Sequence, residues 1–258
     1  MHQTKIKMIY KPRLKNPLLI EGLPGVGNVG RVAAGYLIHE LRAKKIAELY
    51  SPHFLPLVVL QPNSLVHVLN MAFYLYKGRK RDIVILTGDS QSITPYGHYE
   101  ICGEIINLCK KLKIKEIITL GGFASGKSPK TPRVIGATNS EKLIEKYKKY
   151  KIDFSGNHNI GTIVGASGLL LGLGRAENID GLCLMGETIG FPFLLTDPKA
   201  AEAILKVVTK ILNIKIDMTK LDESVKEMEE SIKKTEKIHQ EMLSQIIKER
   251  KTPTHYIG

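Results

Sequence analysis

The sequence predicts an α/β domain with a mostly parallel sheet, helices on both faces of that sheet, one antiparallel hairpin element and a long C-terminal helical arm. Short apolar segments alternate with segments of helical periodicity, and several of the short segments are apolar on both faces. A heptad spacing of apolar residues after residue 217 predicts the arm. We therefore assign residues 1–216 to the domain, 217–250 to the arm and 251–258 to a flexible tail.

The first half of the domain contains three predicted strands, at residues 18–21, 46–50 and 82–86. Helices are predicted from about 28 to 44 and from 99 to 112, where apolar residues recur at helical spacing. Residues 61–64 read Gln-Pro-Asn-Ser, a turn sequence between two apolar runs. They predict the antiparallel hairpin within residues 57–76.

The second half continues the alternation, with predicted strands at 116–120, 133–138 and 182–185. Ser140 is predicted to cap a basic helix that runs through Tyr150. A glycine-rich segment at 165–168 leads into an apolar helix. Asp197 and Pro198 open the last helix of the domain, because aspartate is a good N-cap and proline fits the first helical position.

The arm shows apolar residues at alternating steps of four and three, which is the seam of a coiled coil. The seam positions are Leu221, Val225, Met228, Ile232, Thr235, His239, Met242 and Ile246. We expect the apolar members of this seam to mediate self-association or contact with a partner. The alternative is an amphipathic helix that docks on its own domain.

Composition narrows the functional class. The formal net charge is +13, and basic residues cluster at 77–81, 110–115 and 142–151. No zinc module or aromatic platform accompanies these clusters, so we do not expect nucleic acid to be the main partner. Three cysteines without metal spacing indicate buried thiols in a reducing compartment. No apolar run is long enough to span a membrane and the N-terminus lacks a signal sequence, so we expect a cytoplasmic protein.

The segment 25–30 spells G-x-G-x-x-G after a strand and before a helix. In a dinucleotide-binding fold Gly25, Gly27 and Gly30 would let a pyrophosphate approach the helix, with Glu48 near the position of the ribose-binding acid. Glu48, however, falls within the second strand rather than at its end. We favour a structural turn that needs positive φ and close packing, and a ligand loop is the alternative.

Residues 121–128 match the P-loop string G-x-x-x-x-G-K-[ST], with Gly121 and Gly122 at its start. A P-loop requires a helix directly after it, whereas Pro129 and Pro132 follow here and the next segment reads as a strand. We interpret the match as coincidental.

Asp89, Glu187 and Asp197 follow strand ends, where sites of α/β proteins collect. No nucleophile elbow and no histidine set with metal spacing accompanies them. We therefore assign no catalytic residue, no metal and no cofactor, and we expect a protein that is not an enzyme.

Several glycine-rich strings together resemble the archaeal proteasome assembly chaperone family. They are GLPGVGNVG at 22–30, TLGG at 119–122, GASGLLLG at 165–172, GET at 186–188 and DPKAA at 197–201. The resemblance covers about residues 15–215. It implies an α/β fold, a homo-oligomer, and a protein that assists or engages the proteasome core particle. Relatives have been loosely grouped with ATP-grasp enzymes, so a nucleotide-binding enzyme is the alternative function.

Some members of this family resemble proteasome activators in carrying a C-terminal hydrophobic–Tyr–any-residue tail that enters pockets on the α-ring. This chain ends in Tyr256, Ile257 and Gly258, which the resemblance makes the expected contacts to proteasome α-subunits. Tyr256 is third from the end instead of second, so the chain departs from the pattern at that point.

Overall fold

The computed structural model describes residues 1–127, 129–156, 161–190 and 195–226. Within them, the strands are β1 Lys5–Met8, β2 Leu18–Glu21, β3 Lys44–Tyr50, β4 Val58–Leu60, β5 Val66–Val68, β6 Met71–Tyr76, β7 Ile83–Gly88, β8 Glu116–Ala124, β9 Val134–Thr138 and β10 Asp180–Thr188. The helices are α1 Val29–Glu40, α2 Pro95–Lys111, α3 Glu141–Tyr147, α4 Ala166–Ala176 and α5 Pro198–Leu212. Short 3-10 turns at Val26–Asn28 and Lys148–Tyr150 precede α1 and follow α3.

Eight strands form one sheet in the order β1-β3-β6-β7-β2-β8-β10-β9. The four central strands β7, β2, β8 and β10 are parallel. The strands on both sides of this centre pair antiparallel. The sheet is therefore mixed, with its parallel part confined to the centre. The six residues between β6 and β7 explain part of this, because a parallel pair needs a crossover of a dozen or more residues.

Helices cover both faces of the sheet, as the sequence predicts. On one face, α1, α3 and α5 bury Val32, Tyr147 and Ile204 against alternate residues of the central strands. On the other face, α2 and α4 bury Ile105 and Leu170 against the intervening strand residues. The strands are apolar on both sides because each central strand contributes to two cores.

Local capping sets where several helices begin. The Thr94 side chain accepts a hydrogen bond from the Gly97 amide, 3.1 Å away, so α2 begins at Pro95 and not at residue 99. Asp197 caps α5 as predicted, with Oδ1 accepting from the Ala200 amide at 3.0 Å. Ser140 does precede α3, but its side chain makes no capping hydrogen bond, and the predicted helix to Tyr150 ends at Tyr147 and continues as a 3-10 turn.

The predicted hairpin within residues 57–76 is shorter than expected. Strands β4 and β5 pair only with each other and form a separate two-stranded sheet. Strand β6 leaves the hairpin and joins the main sheet between β3 and β7. The connecting turn is closed by hydrogen bonds from the Ser64 amide to the Gln61 carbonyl and from the Gln61 amide to the Leu65 carbonyl.

The first turn of the arm packs on the domain. Residues 221–226 are helical, and the side chains of Leu221 and Val225 are only 3% and 2% exposed within the core that α1 and α5 share. The Tyr36 hydroxyl donates a hydrogen bond to the Asp217 carbonyl at 2.5 Å and helps to hold this segment. The apolar core thus extends past residue 216, and for Leu221 and Val225 the docked-helix alternative describes the packing. Met228, Ile232, Met242, Ile246 and the tail residues Tyr256, Ile257 and Gly258 lie outside the described residues.

The three basic clusters carry ion pairs with acidic residues of the same chain. Examples are Lys77 with Asp82, Arg81 and Lys146 with Glu116, Lys110 with Glu177, and Lys142 with Asp180, all within 2.9 Å. Burial alone would raise the pKa of Glu116, but hydrogen bonds from Lys146, Tyr147 and Arg81 lower it below the usual value. Part of the positive charge therefore takes part in ion pairs within the chain.

In the described part of the chain, no helix has the length and hydrophobicity needed to cross a membrane.

Candidate functional site

A cleft of about 570 Å³ lies at the carboxyl ends of the parallel strands. Its walls are formed by the loops after β2 and β7, the second half of β8, and residues 162–167 at the start of α4. Ligand sites of open α/β sheets usually occupy this edge, because the loops that follow parallel strands converge there. The glycine turn at 25–30 and the glycines at 121 and 122 both border this cleft.

Two of the three glycines in the turn have a structural reason, one in its backbone conformation and the other in its packing. Gly27 has φ of 59°, a left-handed conformation that favours glycine. A Cβ on Gly30 would lie 2.1 Å from the Leu120 carbonyl oxygen, so this glycine allows α1 to cross β8 at close range. Gly25 differs, because its backbone is extended and a Cβ there would meet nothing within 4 Å.

The two glycines of β8 divide in the same way. A Cβ on Gly122 would lie 2.4 Å from the Val26 carbonyl oxygen, so Gly122 accommodates the turn before α1. A Cβ on Gly121 would find only the Ser167 hydroxyl oxygen, 3.9 Å away. The backbone conformation or close packing therefore explains why glycine occurs at Gly27, Gly30 and Gly122. The other two glycines, Gly25 and Gly121, border open space in the cleft.

The geometry does not complete a dinucleotide site around this turn. In the strand order, β6 and β7 separate β3 from β2, which places Glu48 three strand spacings, roughly 14 Å, from the strand before the turn. Glu48 accepts hydrogen bonds from Lys45 and Tyr50, each at 2.9 Å, and these lower its pKa. The Glu48 carboxylate is therefore engaged by Lys45 and Tyr50, and it lies too far from the glycine turn to bind a ribose there.

The P-loop match also lacks its structural context. Residues 121–124 belong to β8, and the next regular element in the described chain is β9. No helix N-terminus follows the string to receive phosphates. The interpretation of this match as coincidental agrees with the structure.

Glu21 is a buried acidic group beneath the cleft, and the sequence prediction does not identify it. Its side chain is fully buried at the end of β2, and burial raises its pKa to about 8. The Ser167 hydroxyl donates a hydrogen bond to Oε2 at 3.0 Å, which offsets part of this rise. The sequence feature that points to Glu21 is an acidic residue directly after three apolar ones, on a strand that is apolar on both faces.

Gln91 and Thr119 fix the start of α4 above Glu21. The Gln91 Oε1 atom accepts from the Ala166 amide at 2.9 Å, and its Nε2 donates to the Pro24 carbonyl at 2.6 Å. The Thr119 hydroxyl donates to the Ser167 carbonyl at 3.0 Å. Hydrogen bonds therefore hold the loops after β2 and β7 and the start of α4 together around the cleft.

The three acidic residues predicted at strand ends serve the fold. Asp89 Oδ2 lies 2.7 Å from His67 Nε2 and accepts from the Asn70 amide at 3.1 Å. Glu187 pairs with Arg133 through two hydrogen bonds of 2.9 and 3.1 Å, which lower the pKa of Glu187. Asp197 caps α5. Among the described residues, no three His, Cys, Asp or Glu side chains converge on a common metal position.

Comparison with known proteins places this fold and these motifs in a family. The model of the PAC2 family matches residues 19–236. An uncharacterized protein of Methanocaldococcus jannaschii is 41% identical over 230 residues, which cover 89% of this chain and 87% of that protein. Pyrococcus furiosus PbaB, an archaeal proteasome activator, has a similar crystal structure with a TM-score of 0.82 and 43% identity, over 92% of this chain and 100% of that one.

A second solved structure from the same organism is also similar. Pyrococcus furiosus PbaA, an archaeal homolog of proteasome-assembly chaperone, aligns with a TM-score of 0.74 and 28% identity, over 92% of this chain and 100% of that one. The family match covers the glycine turn, the cleft and residues 217–236. The chain belongs to the PAC2 family.

Proposed function

We propose that this protein binds the proteasome core particle and acts as an assembly factor or activator of it. The supporting observation is the similarity to PbaB, with 43% identity over 92% of this chain and 100% of that chain. The aligned part includes the glycine turn, the cleft and the helices on both faces of the sheet, so the likeness extends over the whole described fold.

The proposed contacts are with the α-subunits of the core particle. Tyr256, Ile257 and Gly258 supply an aromatic and an aliphatic side chain next to a carboxylate. Short C-terminal segments of this kind are recognised by insertion of the side chains into pockets and capture of the carboxylate. The support for this step is the sequence resemblance, and the three residues lie outside the described part of the chain.

We propose in addition that the protein self-associates through the arm. Leu221 and Val225 already pack in the core of their own chain. The seam available to a second copy or a partner therefore begins at Met228 and continues through Ile232, Met242 and Ile246.

Binding, and not catalysis, is the proposed activity. The acidic residues at the strand ends are engaged in a histidine contact, an arginine pair and a helix cap. The alternative of a nucleotide-binding enzyme would use Gly25 and Gly121, which border open space in the cleft. It requires millimolar ATP or NAD to raise the melting temperature, and we expect no such rise.

A binding assay on immobilised core particle tests separately whether the protein binds and whether residues 256–258 are needed for binding. The samples are the full chain, a chain lacking residues 256–258, and the variant Tyr256→Phe, which keeps the aromatic ring. We expect the full chain and Tyr256→Phe to bind and the truncated chain to bind at least about tenfold more weakly, a difference of about 1.4 kcal/mol. Equal binding by the truncated chain would reject the role of the tail, and absence of binding by the full chain would reject the function.

A further inference from the structure

The β4–β5 hairpin exposes an apolar face to solvent. Val58, Leu60, Val66 and Val68, together with Leu65 in the turn, are each between 50% and 66% exposed. Isolated exposed apolar residues are ordinary on protein surfaces, whereas a contiguous group of them marks an interaction site.

The pairing register places the four strand residues on one side of the hairpin. Val58 lies opposite Val68 and Leu60 lies opposite Val66. Because side chains alternate along a strand, these two cross-strand pairs share one face. We call this set of five residues, with Leu65, the outer face of the hairpin.

The opposite face is held against the domain. The intervening pair is Val59 and His67. Val59 packs against the core that contains α2, and His67 Nε2 lies 2.7 Å from Asp89 Oδ2 after β7. The hairpin is thus anchored from beneath, and its outer face has a fixed orientation.

The size of the outer face agrees with an interface. Five half-exposed aliphatic side chains present roughly 500 Å² of apolar surface, at the upper end of the range for the largest patch on a monomer. Contact with an equal face would bury roughly 1,000 Å² in total, the lower limit for a specific interface.

The charge distribution indicates which partner fits. Residues 49–76 contain no Lys, Arg, Asp or Glu, although 24% of the chain is charged. A partner of opposite charge would be attracted to the lysine-rich surfaces of this +13 chain and not to an uncharged segment. Two copies of the chain repel each other, and an uncharged face is where they can approach with the least repulsion.

We propose that the outer face of the hairpin binds the same face of a second copy of this chain. Such a contact is isologous, so each copy contributes the same five residues. The proposal concerns a surface distinct from the arm seam and does not depend on binding to the proteasome.

Two single substitutions with opposite charges test the surface. Leu60 is 66% exposed, so Leu60→Lys and Leu60→Glu place a charge in the centre of the face without opening the core. Each variant alone is expected to raise the dissociation constant for self-association, measured by sedimentation velocity, at least about tenfold. The matched control is Ile9→Lys, at an apolar residue 54% exposed outside the hairpin, which is expected to behave as the unsubstituted chain.

Mixing the two variants tests whether the partner face is the same face. An equimolar mixture of Leu60→Lys and Leu60→Glu is expected to regain association, because the lysine of one copy meets the glutamate of the other. Leu60→Asn, which removes the apolar surface without charge, is expected to weaken association and to leave the circular dichroism spectrum and melting temperature unchanged. Unaltered association of all three variants overturns the proposal, and so does a mixture that remains dissociated.

Discussion

At the scale of single residues, the burial of Glu21 changes the pH at which its carboxyl group ionises. Its carboxyl group lies among apolar side chains, and burial raises its pKa from 4.5 to about 8. At neutral pH the folded protein therefore holds a proton at Glu21 that the unfolded chain releases. The stability that this proton contributes is fully present below about pH 4.5 and is lost as the pH rises toward 8.

We expect Glu21→Gln to remove this pH dependence. Between pH 5 and 8, the free energy of unfolding of the unsubstituted protein should fall relative to that of the variant by up to roughly 1.4 kcal/mol per pH unit. Urea denaturation at pH 5, 6, 7 and 8 measures the free energy of unfolding of both proteins. Because the histidines are the same in both, their contribution drops out when the two values at each pH are subtracted. Parallel pH profiles would show that Glu21 is ionised at neutral pH in the folded state.

The glycine turn permits a comparison between two positions of one motif. Gly30→Ala is expected to destabilise the protein by at least about 2 kcal/mol, because the new methyl group meets the Leu120 carbonyl and neither backbone can move freely. Gly25→Ala, at an extended residue facing open space, is expected to change stability by less than about 0.5 kcal/mol. Thermal denaturation of both variants checks this, and equal losses would refute the packing explanation.

The sequence predicts the local conformation at these residues but not their contacts with distant segments. The motif at 25–30 indicates a tight turn, but the clash at Gly30 arises from β8, some ninety residues later in the chain. Likewise, the residues Leu18 to Glu21 indicate a buried strand. The hydrogen bond from Ser167 to Glu21, however, depends on how α4 approaches β2, which no local pattern encodes.

At the scale of elements, the strong apolar patterns were sufficient to locate the central strands and the helices. Strand β1 is absent from the prediction, because Lys5–Met8 alternates lysine with apolar residues over only four positions. Such short, charged strands occur at sheet edges, where they discourage pairing with other chains. The antiparallel flanks were likewise not predicted, since strand order depends on contacts between distant segments.

The start of the arm gives a prediction at this scale. Leu221→Ala is expected to lower the free energy of unfolding by about 2–4 kcal/mol, because the leucine is buried beside α1 and α5. The control Glu223→Ala changes an exposed neighbour and is expected to stay within about 0.5 kcal/mol. If Leu221 belonged to an intermolecular seam alone, its substitution would alter the oligomer and leave the stability of the monomer unchanged.

At the scale of the whole molecule, the charge pattern and the family membership support the proposal of a binding protein. Several lysines and arginines of the basic clusters pair with acids of the same chain. These pairs agree with the expectation that nucleic acid is not the main partner. The motif combination that indicated the family is supported by the match over residues 19–236 and by the similarity to PbaB.

Above all, we propose that this chain binds the proteasome core particle. The most direct measurement is sedimentation velocity of the full chain mixed with purified core particle from the same cells. We expect a fraction of the molecules to sediment with the core particle, and this fraction to saturate at a defined stoichiometry as the concentration rises. A chain that sediments independently at every ratio, while remaining folded, would contradict the claim.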